Sequence, residues 1–141
     1  AAGAVMLIAL LAAWTAWQPL RSVTVGQDAI AALDRGDIAE ARSLAVAARD
    51  RNPLSIDPLI QLSTIESAAN RQIQARQALE DAVRLQPANP VAWLQLAEFE
   101  LYELNRPTVA LTAIRPALYL DPRSSDAVAV FLAAKRQTSS R

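Results

Sequence analysis

The chain has 141 residues, 52% of them hydrophobic, with 14 basic side chains balanced by 14 acidic ones and neither His nor Cys. The length suits one domain or one short repeat array. The missing His and Cys exclude disulfides, thiol nucleophiles, imidazole-based triads and the usual zinc sites. Zero net charge lacks the basic excess that neutralises phosphates, so no nucleic acid is expected as a partner. Arg supplies 13 of the basic residues and Lys135 the other. With about a third of the chain Ala or Leu and few Gly, the composition favours an all-α fold.

Residues 1–18, AAGAVMLIALLAAWTAWQ, contain no charge. At 1.5 Å per residue, a helix from Ala1 to Trp17 reaches about 26 Å, against a hydrocarbon core of about 30 Å. Trp14 and Trp17 lie one turn apart where an aromatic belt would meet the headgroups, and Pro19 and Arg21 close the segment. The pattern predicts a transmembrane helix over 1–18 in contact with the lipid bilayer, and hence a cell-membrane location. A buried Ala-rich helix and a processed or interfacial segment are the alternatives. A signal peptide would open with Met and a basic region, and neither is present. The start at Ala1 without Met also reads as the start of a fragment.

Beyond Arg21, apolar residues recur at helical spacing and stop at short polar turns. Helices are predicted at about 23–34, 38–51, 57–69, 72–85, 90–104, 107–120 and 125–137. Asp34-Arg35-Gly36-Asp37 is the first turn, and Asp37 with Glu40 has capping-box spacing. Asp57-Pro58 and Asn89-Pro90 each place a side-chain cap before a Pro at the first helical position, where its missing N–H costs nothing. Asn105-Arg106-Pro107 makes a later turn, and Ser124 or Ser125 caps the last helix.

These boundaries repeat. Pro53, Pro87 and Pro122 are 34 and 35 residues apart, as are Ala41, Ala75 and Ala110, and again Ala48, Ala82 and Ala117. Gly36 and Asn70 are 34 apart, each where a left-handed residue would end a helix. Alanines at such places let helices approach closely, while Leu62, Leu79, Leu96 and Ile114 fill the space between layers. One unit cannot bury its own apolar face, so about three are needed, with atypical ends.

The pattern resembles the tetratricopeptide repeat (TPR), which has an aromatic, then Leu and a small residue, then Ala, an aromatic, Ala and Pro. Trp93, Leu96, Ala97, Ala110, Ile114, Ala117 and Pro122 carry it in one unit, and Leu59, Leu62, Ser63, Ala75, Leu79, Ala82 and Pro87 in the unit before. The first unit departs, with Val25, Asp28 and Ala29 early and only Ala41, Ala48 and Pro53 clear; the third has one extra residue near Tyr102–Leu104. The resemblance implies a right-handed superhelical solenoid behind the transmembrane helix. Its TPR domain would span 22–137, with repeats at about 22–55, 56–89 and 90–124 and a capping helix at 125–137.

The same resemblance implies a protein or peptide partner in a concave groove lined by the first helix of each pair. In this register the lining is Gln27, Ile30, Gln61, Thr64, Gln95, Glu98, Leu101 and Tyr102. One known use of the fold grips a peptide's terminal carboxylate with Lys and Asn. Gly26 and Ile30 stand at the corresponding first-unit places, so that use is not expected. The bland alternative is a groove that packs on other parts of the same polypeptide.

Glu98, Glu100 and Glu103 invite a catalytic or metal reading, but Glu98 lies about 200° around a helix from Glu100, and no His, Cys or Asp accompanies them. A solvated acidic stripe is expected instead, with no catalytic, cofactor-binding or metal residue. Arg42, Arg49, Arg76 and Arg84 have spacings that favour exposed pairs with Glu and Asp.

Two functions follow. The first is a membrane-anchored, non-catalytic TPR scaffold or adaptor. The alternative comes from a second resemblance: a final membrane helix followed by an Ala/Arg-rich TPR tail is similar to the C-terminal end of some bacterial O-antigen ligase-like membrane proteins. That would make the chain the end piece of a polytopic glycosyl-transferring enzyme, with its catalytic part upstream and its repeats leaning extracytoplasmic.

Overall fold

The computed structural model describes residues 27–140. Helical residues 27–34 (α1) are followed by Ile38–Arg51 (α2), Asp57–Ala68 (α3), Gln72–Leu85 (α4) and Pro90–Glu98 (α5). Helix α5 continues through a π-helical turn at Phe99–Glu103, and Pro107–Leu120 (α6) and Ser125–Ser139 (α7) complete the series. From α2 onward each helix packs on the next, and α5 also touches α7. Contact confined to neighbouring repeats is the signature of a solenoid.

Local chemistry sets the helix starts. Asp37 Oδ1 accepts from the Glu40 N–H at 2.9 Å, while the Glu40 side chain turns to Arg35 at 2.8 Å instead of closing the box. Asn89 accepts from the Val91 N–H, and Ser124 from the Ala127 N–H. Asp57 does not cap α3: it is the helix's first residue, and its N–H donates to Ser55 Oγ. The first helices of the three pairs end on left-handed residues, Gly36 (φ 81), Asn70 (φ 58) and Asn105 (φ 50). A Cβ built on Gly36 would meet nothing within 4 Å, so the constraint there is the backbone angle alone. Gly36→Ala is expected to cost about 1 kcal/mol, and Gly36→Asn much less, because Asn tolerates this region; paired thermal melts would show it.

The alanine series are the close contacts. Ala41, Ala75 and Ala110 are 0% exposed, and Ala48, Ala82 and Ala117 no more than 1%. Side chains larger than a methyl group have no room there, which fixes the helix spacing. One core cluster joins α1, α2 and Ile65 of α3; the other runs from α3 to α7.

The π turn stores the residue that changes a step of 34 into one of 35. In the first pair the closing bond runs from the Asp37 N–H to the Ala32 carbonyl, and in the second from the Arg71 N–H to the Glu66 carbonyl. Each spans five residues. In the third pair the Arg106 N–H reaches the Glu100 carbonyl, six residues back, after the Leu104 N–H has bonded to the Phe99 carbonyl. The wider turn lets three consecutive residues, Phe99, Glu100 and Leu101, face inward at 7%, 0% and 1% exposure.

The transmembrane part of the expected fold requires correction. Residues 1–18, where it was placed, lie outside the described residues. Among the described residues no helix is long and apolar enough to cross a membrane. The longest, α7, has 15 residues and carries Asp126, Lys135 and Arg136; at 1.5 Å per residue it reaches about 22 Å, short of a core of about 30 Å. The described residues form an all-α helical solenoid with no membrane span among them, and the cell-membrane location inferred from the span is withdrawn.

Candidate functional site: a groove between first helices

Two hollows open between successive first helices. The first, of about 450 Å³, lies between α1 and α3 at the C-terminal end of α2, with Gln27, Ile30, Asp34, Asp57 and Gln61 on its walls. The second, of about 470 Å³, lies between α3 and α5, with Leu79 of α4 reaching it from behind. Thr64, Gln95, Glu98, Tyr102 and Glu103 line that hollow.

The residues expected in the groove therefore divide into two sets. Gln27, Ile30 and Gln61 share the first hollow, and Thr64, Gln95, Glu98 and Tyr102 the second. Leu101 belongs to neither. It is 1% exposed and sits in the core, because the residue inserted at the π turn sets the helix phase back and carries it inward. Glu103 stands in the hollow in its place.

Polar contacts order the second hollow. Gln95 Nε2 donates to Glu98 Oε2 at 2.9 Å, and Ser67 Oγ donates to Glu103 Oε2 at 3.2 Å. Tyr102 is 59% exposed between them in sequence. Burial pushes the Glu98 carboxyl above its ordinary range, and the negative charge of Asp126 pushes it the same way. An ionised Glu98 therefore opposes folding. That cost is full above its raised native value and absent below the unfolded-state value, so stability falls as pH rises through the window. Glu98→Gln is expected to raise the urea midpoint at pH 7, with the gain shrinking towards pH 4; an equal gain at both pH values would contradict this.

Behind the groove two carboxylates are buried, and one of them, Glu100, departs from the solvated acidic stripe expected of it. Glu66 is 2% exposed and Glu100 0%. Arg42 Nε meets Glu66 Oε1 at 2.7 Å and Arg71 NH1 meets its Oε2 at 3.4 Å. One repeat later, Arg76 Nε meets Glu100 Oε1 at 2.5 Å and Arg106 NH1 lies 3.9 Å from its Oε2. Arg42 and Arg76 thus bridge to the following first helix, besides the Arg76–Glu80 pair within α4. Arg49 and Arg84 do make the exposed local pairs expected of them, with Asp50 and Asp81. Among the described residues no group of three or more carboxylates is placed to hold a metal ion.

No protein-family description matches the chain, and no curated protein does. Solved structures do. The Sgt2 TPR domain from Aspergillus fumigatus superposes with a TM-score of 0.70 at 19% identity, over 84% of this chain and 80% of that one. The first TPR domain of human RPAP3 gives 0.69 at 14% identity, over 84% and 93%. The first TPR of Spaghetti (RPAP3), bound to the HSP90 peptide SRMEEVD, gives 0.67 at 14% identity over the same shares. The fold is that of a TPR domain. The O-antigen ligase-like likeness gains no support from these structures.

The TPR pattern explains what sequence reasoning missed. It runs W-x₂-L-G-x₂-Y in the first helix, and Trp93-x₂-Leu96-Ala97 brings its final aromatic to position 100, as Leu59-x₂-Leu62-Ser63 brings it to 66. Glu occupies both. A charged residue at a position the repeat buries was the available signal, and Arg42 and Arg76, 34 residues apart, were its counterpart.

Proposed function

We propose that this chain is a non-catalytic protein-interaction module that holds an extended peptide segment across its first helices. The supporting observation is the alignment of two hollows along α1, α3 and α5, which gather Gln27, Ile30, Gln61, Thr64, Gln95, Glu98 and Tyr102. In this reading the TPR domain covers 22–137, with repeats at about 22–55, 56–89 and 90–124 and a capping helix at 125–137. The TPR of Spaghetti (RPAP3) bound to an HSP90 peptide, and the second RPAP3 TPR in complex with an HSP70 peptide, lend the reading support by fold.

Catalysis has no foothold in this proposal. Glu66 and Glu100 are engaged by Arg side chains, and the hydroxyl–carboxylate pairs of the hollows, Ser55–Asp57 and Ser67–Glu103, have no imidazole to complete a triad, since the chain contains no His. The test is a random-peptide display selection on the full chain, repeated with Thr64→Arg and Tyr102→Ser. Both residues are exposed, so helicity is expected to stay intact. Selected peptides are expected to lose at least about tenfold in affinity on Thr64→Arg, which fills the second hollow with a long side chain. Peptides that bind both variants as well as the parent would place the binding surface elsewhere.

A further inference from the structure

The chain's zero net charge conceals a separation. The described helices that flank the groove, α1, α3 and α5 with its π turn, contain no Lys or Arg at all, whereas the second helices carry Arg42, Arg49, Arg51, Arg76, Arg84 and Arg115. Of the acids on the flanking helices, Glu66 and Glu100 are consumed by Arg pairs. Asp34, Asp57, Glu98 and Glu103 remain on the hollow walls, and no Lys or Arg lines either hollow.

The uncharged groups point the same way. Gln61 Oε1 is a buried acceptor with no hydrogen-bond partner among the described residues, and it belongs to the first hollow. In the second, Tyr102 offers an exposed aromatic ring in the hollow that also holds Glu98 and Glu103. A ring face with carboxylates near it is a receptor for a guanidinium or ammonium group. Acceptors and negative charge thus dominate both hollows, and an acidic peptide would meet repulsion at each.

We infer that the groove's occupant is a basic, extended peptide segment, with an Arg or Lys side chain seated against Tyr102, Glu98 and Glu103 and a second donor-rich residue meeting Asp34, Asp57 and Gln61. This rests on the groove reading above and adds the charge class of its partner. It also sets the chain apart from the RPAP3 neighbours, whose bound peptides, SRMEEVD and SGPTIEEVD, end in acidic runs.

The probe is a pair of fluorescein-labelled nonapeptides, one alternating Arg with Ala and the other alternating Glu with Ala, titrated by polarisation against the full chain. The Arg peptide is expected to bind and to weaken as salt rises through the range where the Debye length falls below about 10 Å. Glu98→Gln, Glu103→Gln and Tyr102→Ser are each expected to weaken it about fivefold, in line with pairs worth roughly 1 kcal/mol. Asp81→Asn, on α4 beside Arg84, changes nothing. Preferential binding of the Glu peptide, lost on Tyr102→Ser, would overturn the charge class and leave the groove in place. Arg-peptide binding unmoved by Glu98→Gln and Glu103→Gln, or absent at low salt, would overturn the inference outright. Display-selected peptides that bind in the groove without basic residues would do the same.

Discussion

Arg76→Leu is expected to cost more stability than Glu100→Leu, although Glu100 is the buried partner and the Arg76 side chain is 38% exposed. Removing Arg76 leaves a carboxylate at 0% exposure with only Arg106, 3.9 Å away, to answer its charge. An uncompensated buried charge of this kind costs about 3–5 kcal/mol. Glu100→Leu removes that charge and puts an apolar residue of similar size in an apolar place. It leaves two guanidiniums, 38% and 54% exposed, that can turn to water, so the loss is expected to stay below about 2 kcal/mol. Combining the changes should restore most of what Arg76→Leu loses. Urea midpoints of the three variants measure the order, and a larger loss for Glu100→Leu than for Arg76→Leu would show that the carboxylate is better solvated than its burial implies.

Ala82→Arg is expected to unfold the array. Ala82 is 0% exposed on α4 and its methyl group is in the core between α3 and α5. A guanidinium there combines overpacking with a buried unpaired charge. The combined cost, about 5 kcal/mol or more, is of the same order as the whole stability of a small domain, about 5–15 kcal/mol. Loss of the helical circular dichroism signal is the expected result. Ala88→Arg, at an exposed place in the turn after α4, is the matched control and should be silent. Full helicity in the Ala82 variant would refute the packing assigned to the alanine series.

The solenoid was legible because a repeat states the same physics several times. Ala41, Ala75 and Ala110 each need a methyl group at a close contact, and Asn89-Pro90 and Asp37 each announce a helix start in local chemistry. Pairings between repeats were less legible. Nothing within α4 says that Arg76 turns to Glu100 rather than only to Glu80, since the nearer carboxylate satisfies the same local rule. Leu101 was misplaced for a related reason. A uniform 3.6-residue period was carried through Phe99–Glu103, and one inserted residue shifts every later side chain by about 100°. The extra residue was visible in the 35-residue step, but whether it sat in the loop or in the helix was a matter of tertiary packing. The span expected over 1–18 rested on an uncharged run and the Trp14–Trp17 belt; that run lies outside the described residues, among which no helix is long and apolar enough to cross a membrane.

The two Arg–Glu–Arg links give the array a grammar of joints. The middle unit carries one half of each joint: Glu66 and Arg71 answer Arg42 before it, and its own Arg76 reaches forward to Glu100. Its front and back are therefore complementary to each other. A tandem copy of residues 56–89 would seat the second Glu66 on the first Arg76 and leave every charge answered, so the chain can lengthen from within. It cannot lengthen by the same device at its ends. The corresponding carboxylate position is Ala32 in the first pair and Lys135 in α7, and Leu111 replaces the forward-reaching Arg on α6. The charge pattern of the middle repeat thus fits its own duplication.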